Sequence, residues 1–329
     1  MAENNNGRRV AIACQGGGSH TAFTAGALKN LLKEKDAAGH NHEIVALSGT
    51  SGGAIGALLA WYGLLMNDTD KAVELLDSFW RDNTANSFWD RTLNNWFIRT
   101  SRLFANTGGL PTISPYFYPD WGQDRLKSML EKYVDFGRFG ELVEPSSPLL
   151  LVGAANVLSG EFKAFSSRRD RIDVDMILAS AAIPSMFRAV SIGKDVYWDG
   201  LFSQNPPIRE LPDEKPDEIW VIQINPEVSA SEPKSMPDII DRRNELSGNL
   251  SLNQEIYFIE TVNRWVEEGV LSGTKHEVIE VKRIELLQDL DCESKFNRDP
   301  EFIQGLMAHG EEQAGKFLKE HAVAGEKTN

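Results

Sequence analysis

The hydrophobic pattern begins with two short apolar runs, each followed by glycines and then by a helical pattern. Residues 9–14 form the first run, and the helix after it has an apolar side at i, i+4 spacing; residues 44–47 and 54–65 repeat the plan. Two strands joined by a helix in so few residues predict a βαβ unit, and therefore a parallel sheet. The segment 54–65 is apolar on nearly all sides, which predicts a buried helix.

The pattern after residue 148 predicts further strands and helices of an α/β protein. Segments 149–155 and 156–165 indicate a hairpin turning at Ser159-Gly160, and 190–198 indicates a second one at Gly193-Lys194. A buried strand is expected at 219–224 and another strand at 276–286. Helices are expected at 174–182, 238–268 and 300–320.

Residues 67–147 differ from the rest in their aromatic content. Fourteen aromatic residues fall between Phe79 and Phe139, including Trp89, Trp96 and Trp121. Aromatic density is usually plain core, but it also suits the wall of an apolar ligand groove. We interpret the segment as a helical insertion or cap that could contact an acyl chain.

Composition narrows the function classes. With 329 residues, 41% hydrophobic and 25% charged, the chain is typical of a soluble globular protein. Its net charge of −14 argues against nucleic acid and against standing attachment to anionic membranes. Cys14 and Cys292 give no disulfide framework or metal-ligand spacing. No signal peptide or membrane helix is evident, so a cytoplasmic protein is expected.

The most informative motif is the G-x-S-x-G pentapeptide, residues 49–53, between the second apolar run and the buried helix. A serine on a tight strand-to-helix turn has its hydroxyl exposed and its backbone at a helix N-terminus, which suits a nucleophile. Ser51 is therefore the candidate nucleophile. The alternative is a glycine-rich turn with an ordinary serine.

A nucleophilic serine also needs hydrogen-bond donors for an oxyanion. Gly16, Gly17 and Gly18 follow a strand and open a helix, so their amides are candidate donors, and the amide of Gly52 can add another. Such a loop also occurs at nucleotide sites, but Thr21 stands where the dinucleotide fingerprint needs a third glycine. A phosphate- or nucleotide-binding module without catalysis stays open as an alternative.

Three blocks together resemble the patatin-like phospholipase family. They are the glycine loop 15–21, the pentapeptide 49–53 and the motif Asp199-Gly200, with an Ala- and Ser-rich stretch at 179–187 before the last. The resemblance extends from about residue 10 to 205. The sequence departs from the family pattern at His20 and Thr21, where a basic residue and glycine are usual, and at Leu201, where glycine or alanine is usual.

The resemblance implies a three-layer α/β/α fold with a mainly parallel central sheet. It implies one domain over 9–329 after a flexible 1–8, with a C-terminal helical region at about 235–329. It also implies a serine lipid acyl hydrolase whose Ser51-Asp199 dyad forms an acyl-enzyme without histidine. Motif positions carried over with the dyad are Gly49, Thr50, Gly53 and Gly200.

The same resemblance implies no cofactor, and no metal site is expected. The expected partner is a lipid or other acyl ester, with transient contact to a membrane or micelle and no nucleic acid. Oligomeric state and the acyl ester are left open. An ordinary hydrolase triad of Ser51, Asp199 and His276 has the right chain order and is the enzymatic alternative.

Overall fold

The computed structural model describes residues 7–37, 41–85 and 114–325, apart from 118, 185, 230 and 289. The strands are β1 (Arg8–Cys14), β2 (His42–Thr50), β3 (Leu149–Asn156), β4 (Phe162–Ser166), β5 (Val190–Ile192), β6 (Asp195–Asp199), β7 (Glu218–Gln223) and β8 (Glu280–Glu285). The helices are α1 (Ala22–Lys33), α2 (Gly52–Leu65), α3 (Thr69–Asn83), α4 (Trp121–Tyr133), α5 (Phe139–Leu142), α6 (Val174–Ser180), α7 (Met236–Glu267) and α8 (Pro300–Gly325).

One mixed, mostly parallel sheet organises the chain. Its order is β5-β6-β3-β2-β1-β7-β8, with β4 paired to β3. The pairs β1-β2, β2-β3, β1-β7 and β7-β8 are parallel, whereas β3-β4, β3-β6 and β5-β6 are antiparallel. The α/β class and the parallel βαβ start are therefore confirmed, and so are both hairpins.

Alternate residues of the central strands face two separate cores, as expected for a sheet covered on both sides. From β1, Val10 and Ile12 enter a core with α1, α2, α3 and α8, while Ala11 and Ala13 face α7. On the second side α7 contributes Leu252, Ile256 and Ile259. The molecule therefore has three layers, with the sheet between two layers of helices.

Helix α2 lies inside the first core, as its sequence predicts. Residues 53–63 are all buried, and Trp61 is fully enclosed. Trp61 still satisfies its indole N–H, which donates to the Pro148 carbonyl at 2.7 Å. Because α2 is fixed on all sides, its N-terminus is a rigid platform for the residue that precedes it.

Several boundaries differ from the sequence expectation. Strand β8 begins at Glu280, so the predicted strand at 276–286 is too long, and β1 begins at Arg8, one residue inside the segment expected to be flexible. The described parts of 67–147 are helical in α3, α4 and α5, but Trp89 and Trp96 lie outside the described residues. Among the residues that the structure describes, no helix is both long and apolar enough to cross a bilayer.

Candidate active site

Ser51 lies on a strained turn between β2 and α2. Its φ of 57° and ψ of −130° are outside the regions that L-residues ordinarily occupy. The turn is possible because Gly49 has no side chain: a Cβ there would be 2.5 Å from the Gly53 carbonyl carbon. Strain of this kind persists where the surrounding structure holds it, and it is common at functional sites.

Strand pairing brings Asp199 next to this turn. On one edge of β3, Thr50 is paired with Gly153 and Asp199 with Ala154, while β4 occupies the other edge. Strand β2 is parallel to β3 and β6 is antiparallel, so the two strands approach each other with their C-terminal ends. Ser51 and Asp199, one just past β2 and one at the end of β6, therefore meet at consecutive positions of β3.

The carboxyl group of Asp199 is completely buried. Burial raises its pKa from 3.8 to about 7, against the opposing effects of the Ser51 hydroxyl and the Leu201 N–H, which favour the ionised form. The Leu201 N–H donates to Oδ1 at 2.9 Å, whereas Oδ2 has no hydrogen-bond partner among the described residues. The Ser51 hydroxyl is therefore close enough to Asp199 to lower the pKa of the carboxyl group, but it forms no hydrogen bond of normal geometry with Oδ2. Long or poorly aligned catalytic hydrogen bonds are common before substrate binds.

Leu201 departs from the family pattern, yet its contribution to the aspartate is made by the backbone. Any residue except proline supplies the same N–H at that position. The side chain at 201 therefore does not decide whether Oδ1 is held.

Ser180 holds the backbone of Ser51, a contact that sequence reasoning did not predict. The Ser51 N–H donates to Ser180 Oγ at 2.9 Å, and that hydroxyl donates to the Gly153 carbonyl at 2.6 Å. All three groups are buried. These two hydrogen bonds link Ser51 to β3, the strand with which Asp199 is also paired.

Gln15 and Asn205 fix the glycine loop. Gln15 Oε1 accepts from the amides of Ile224 and Asn225, both at 2.9 Å. Asn205 holds Gly16 from both sides: its Oδ1 accepts the Gly16 N–H at 2.6 Å, and its Nδ2 donates to the Gly16 carbonyl at 3.2 Å. Sequence reasoning assigned no role to Asn205.

The Asn205 contact divides the predicted oxyanion donors into two groups. The Gly16 amide is already engaged, so Gly16 acts here as an anchor of the loop. The amides of Gly17, Gly18 and Gly52 donate to no acceptor in the part of the chain that the structure describes. Gly18 has a φ of 57°, and a Cβ there would be 2.4 Å from the Lys295 carbonyl oxygen, so glycine is required.

The remaining motif residues join the strands around the site. Thr50 Oγ1 donates to the Gln204 carbonyl at 2.9 Å and so ties the end of β2 to the segment after Asp199. A Cβ on Gly53 would be 2.3 Å from the Cys14 carbonyl oxygen, and one on Gly200 would be 2.9 Å from the Gly153 carbonyl carbon. These glycines let α2 and the Asp199 loop approach neighbouring strands closely.

His20 has a structural environment. It is buried, its Nε2 is 2.7 Å from Ser294 Oγ, and its ring makes an edge contact with Phe302. Burial, with a smaller effect of Lys295, lowers its pKa to about 3. The ring is therefore neutral near pH 7 and adds no positive charge for an anionic head group.

His276 lies beside the edge strand β8, at the opposite end of the parallel strands from Ser51. It precedes β8, whose first residue, Glu280, is aligned through β7 and β1 with the start of β2, whereas Ser51 follows the end of β2. The separation along the strands is about 20 Å. His276 is exposed and lines a cleft of about 950 Å³ beside α7, which neither Ser51 nor Asp199 lines. The triad of Ser51, Asp199 and His276 is therefore excluded by the topology.

We expect His276→Ala to leave kcat and KM for an ester substrate unchanged, because the imidazole is too far from Ser51 to exchange a proton with it. Steady-state kinetics on a water-soluble ester measures this. A loss comparable to that of a Ser51 variant would contradict the placement of His276.

The family profile of patatin-like phospholipases matches residues 12–212. The chain belongs to the patatin-like phospholipase family. The match includes the glycine loop, the pentapeptide and Asp199, and ends within the segment that follows them. The class to which this chain belongs hydrolyses lipid ester bonds. Among curated proteins, no individual sequence matches.

Three solved structures are similar to this chain at low identity. VipD from Legionella pneumophila has a TM-score of 0.47 at 13% identity, over 96% of this chain and 67% of VipD. ExoU has a TM-score of 0.39 at 15% identity, over 95% of this chain and 53% of ExoU. The complex of SpcU with ExoU from Pseudomonas aeruginosa gives 0.38 at 16%, over 96% and 53%. The chain thus spans about half the length of ExoU.

Proposed function

We propose that this protein hydrolyses acyl esters of lipids through a dyad of Ser51 and Asp199, with an acyl-enzyme intermediate. The observation that carries the proposal is the meeting of β2 and β6 on one edge of β3, which puts a strained serine beside a buried carboxyl group. Family membership supplies the substrate class, a lipid ester.

The first half-reaction transfers the acyl group to the enzyme. Ser51 Oγ attacks the ester carbonyl carbon while its proton passes to Asp199. The amides of Gly17, Gly18 and Gly52 are the proposed donors to the oxyanion, and each such donor typically contributes ~10²–10³ in rate. When the tetrahedral intermediate collapses, the alcohol leaves and takes the proton from Asp199.

The second half-reaction returns the enzyme to its starting state. Water attacks the acyl-enzyme carbonyl and gives a proton to Asp199, and Ser51 then leaves with that proton as the fatty acid is released. One group serves as base and acid in turn, which requires a pKa near the working pH. A pKa of about 7 for Asp199 supports this role, since an ordinary aspartate with a pKa of ~3.9 is a weak base.

The proposal is tested with a fluorophosphonate probe and a panel of phospholipids, lysophospholipids and acylglycerols. We expect labelling of Ser51 and release of fatty acid from at least one lipid class, and neither in Ser51→Ala. Ser203→Ala is the control: Ser203 follows the Asp199 loop, and among the described residues its hydroxyl donates only to the nearby Gly200 carbonyl. Equal activity in Ser51→Ala, or nucleotide-dependent thermal stabilisation without labelling, would reject the proposal.

A further inference from the structure

Helix α7 has two apolar faces, and only one of them is buried. Leu252, Ile256 and Ile259 face the sheet, as described above. At 100° per residue, a second set of large apolar side chains clusters on the opposite side of the helix. These side chains are exposed to between 40% and 64%: Ile239, Leu246, Leu250, Tyr257, Phe258 and Trp265. We call this set the outer face of α7.

The outer face extends along most of a helix of 32 residues, which is about 48 Å long. Single exposed apolar residues are ordinary, but six large exposed apolar side chains on one face of one helix indicate an interaction surface. A helix in a soluble protein normally turns its second side to water with polar residues. In α7 that side carries the six large apolar side chains, with Arg243, Gln254 and Thr261 between them.

The charged residues of α7 are also unevenly distributed around the helix. On a helical wheel the acidic residues of α7 all lie at least about 90° from the centre of the outer face. Arg243 is at the centre and Arg264 at the margin. Arg243 is exposed and Arg264 Nη2 bonds the Thr261 hydroxyl; neither forms an ion pair with a described carboxylate. The face therefore combines exposed apolar side chains with two guanidinium groups that pair with no described carboxylate.

Helix α7 is attached to the segment that follows Asp199. Ser247 Oγ donates to the Phe202 carbonyl at 2.5 Å, and Gly248 lies against the backbone of Leu201. Asn249 accepts from Gln15 Nε2 at 2.8 Å, which connects the helix to the glycine loop as well. Whatever the outer face binds is thereby held in fixed relation to the site.

We propose that the outer face of α7 docks the protein on a phospholipid–water interface. This inference rests on the proposed lipid hydrolase function, because that substrate is found in aggregates. Apolar side chains enter the acyl boundary and the two arginines meet headgroup phosphates, as amphipathic interfacial helices do. The net charge of −14 opposes adsorption to anionic lipid, so the apolar stripe provides the main attraction.

The test uses the full chain carrying Ser51→Ala, so that vesicles of phosphatidylcholine stay intact, and measures binding by cosedimentation. We expect the parent to bind and Leu250→Glu to lower its partition coefficient ~10-fold, because a leucine that would enter the acyl boundary is replaced by a charged residue. Leu158→Glu is the matched control, because Leu158 is 70% exposed and Leu250 59%, and Leu158 lies in the turn between β3 and β4. It is expected to bind like the parent.

The outcomes separate docking from catalysis. In the chain with Ser51 intact, Leu250→Glu is expected to retain full turnover of a short water-soluble ester while losing turnover of vesicles. Parent protein that does not bind vesicles, or Leu250→Glu that binds as well as Leu158→Glu, overturns the docking proposal. A dimer that Leu250→Glu converts to monomer in sedimentation equilibrium also overturns it. Vesicle binding by a chain that hydrolyses no ester rejects the proposed function alone.

Discussion

Asp199→Asn is expected to lower kcat/KM by about 10⁴-fold, because asparagine cannot accept the Ser51 proton in either half-reaction. The variant is expected to keep its fold, because asparagine retains a side-chain oxygen that accepts the Leu201 N–H. Kinetics on a water-soluble ester at pH 8 measures the loss. Retention of most of the activity would remove Asp199 from the mechanism.

The same variant is expected to melt at a higher temperature than the parent at pH 8. The pKa of Asp199 is raised from 3.8 to about 7 in the folded protein, so the folded state holds this proton more tightly than the unfolded state. The contribution of this proton to the free energy of unfolding is fully present below about pH 4 and is lost as the pH rises through about 7. The loss amounts to about 4 kcal/mol. Asparagine carries no charge to bury and avoids this cost.

Two pH series check the sign of that argument. The melting temperature of Asp199→Asn minus that of the parent should be larger at pH 8 than at pH 5, and equal differences would contradict the raised pKa. In the parent, kcat/KM should fall about tenfold per pH unit below pH 7, as the required carboxylate becomes protonated. An activity that stays level down to pH 5 would indicate an ordinary aspartate.

The elements that the sequence predicted well are those whose periodicity reflects burial. The apolar runs before Cys14 and Thr50 and the all-apolar α2 are enclosed on both sides, so local pattern and tertiary environment agree. The prediction that a strand starts at His276 was wrong for the opposite reason. Residues 276–278 are exposed, and the pairing of β8 with β7 begins only at Glu280.

The candidate site was predictable only in its separate parts. Ser51 and the glycine loop follow from local motifs, but Asp199 was assigned by family resemblance, since no local rule pairs it with a residue 148 positions earlier. The shared edge of β3 that brings them together depends on strand register. Ser180 and Asn205 were missed because single polar residues acquire their roles only from partners distant in the sequence.

Asn205→Ala is expected to lower kcat about 10²-fold, because the loop that offers the Gly17 and Gly18 amides loses its anchor at Gly16. Asn205 is buried and makes two hydrogen bonds to the Gly16 backbone, and both Gly16 groups are left without a partner in the variant. Each unsatisfied buried group costs about 1–3 kcal/mol, so the protein is also less stable. Kinetics is therefore measured below the melting temperature of the variant.

Asn263→Ala separates the effect on catalysis from the effect on stability. Asn263 holds Ile279 in the same two-sided way, with Nδ2 donating to the carbonyl at 2.8 Å and Oδ1 accepting the amide at 3.0 Å, on the far side of α7 from the glycine loop. We expect Asn263→Ala to lose stability and to keep kcat. If both variants lose kcat equally, the effect is general loosening of the fold. If only Asn205→Ala does, the Gly16 anchor positions the oxyanion donors.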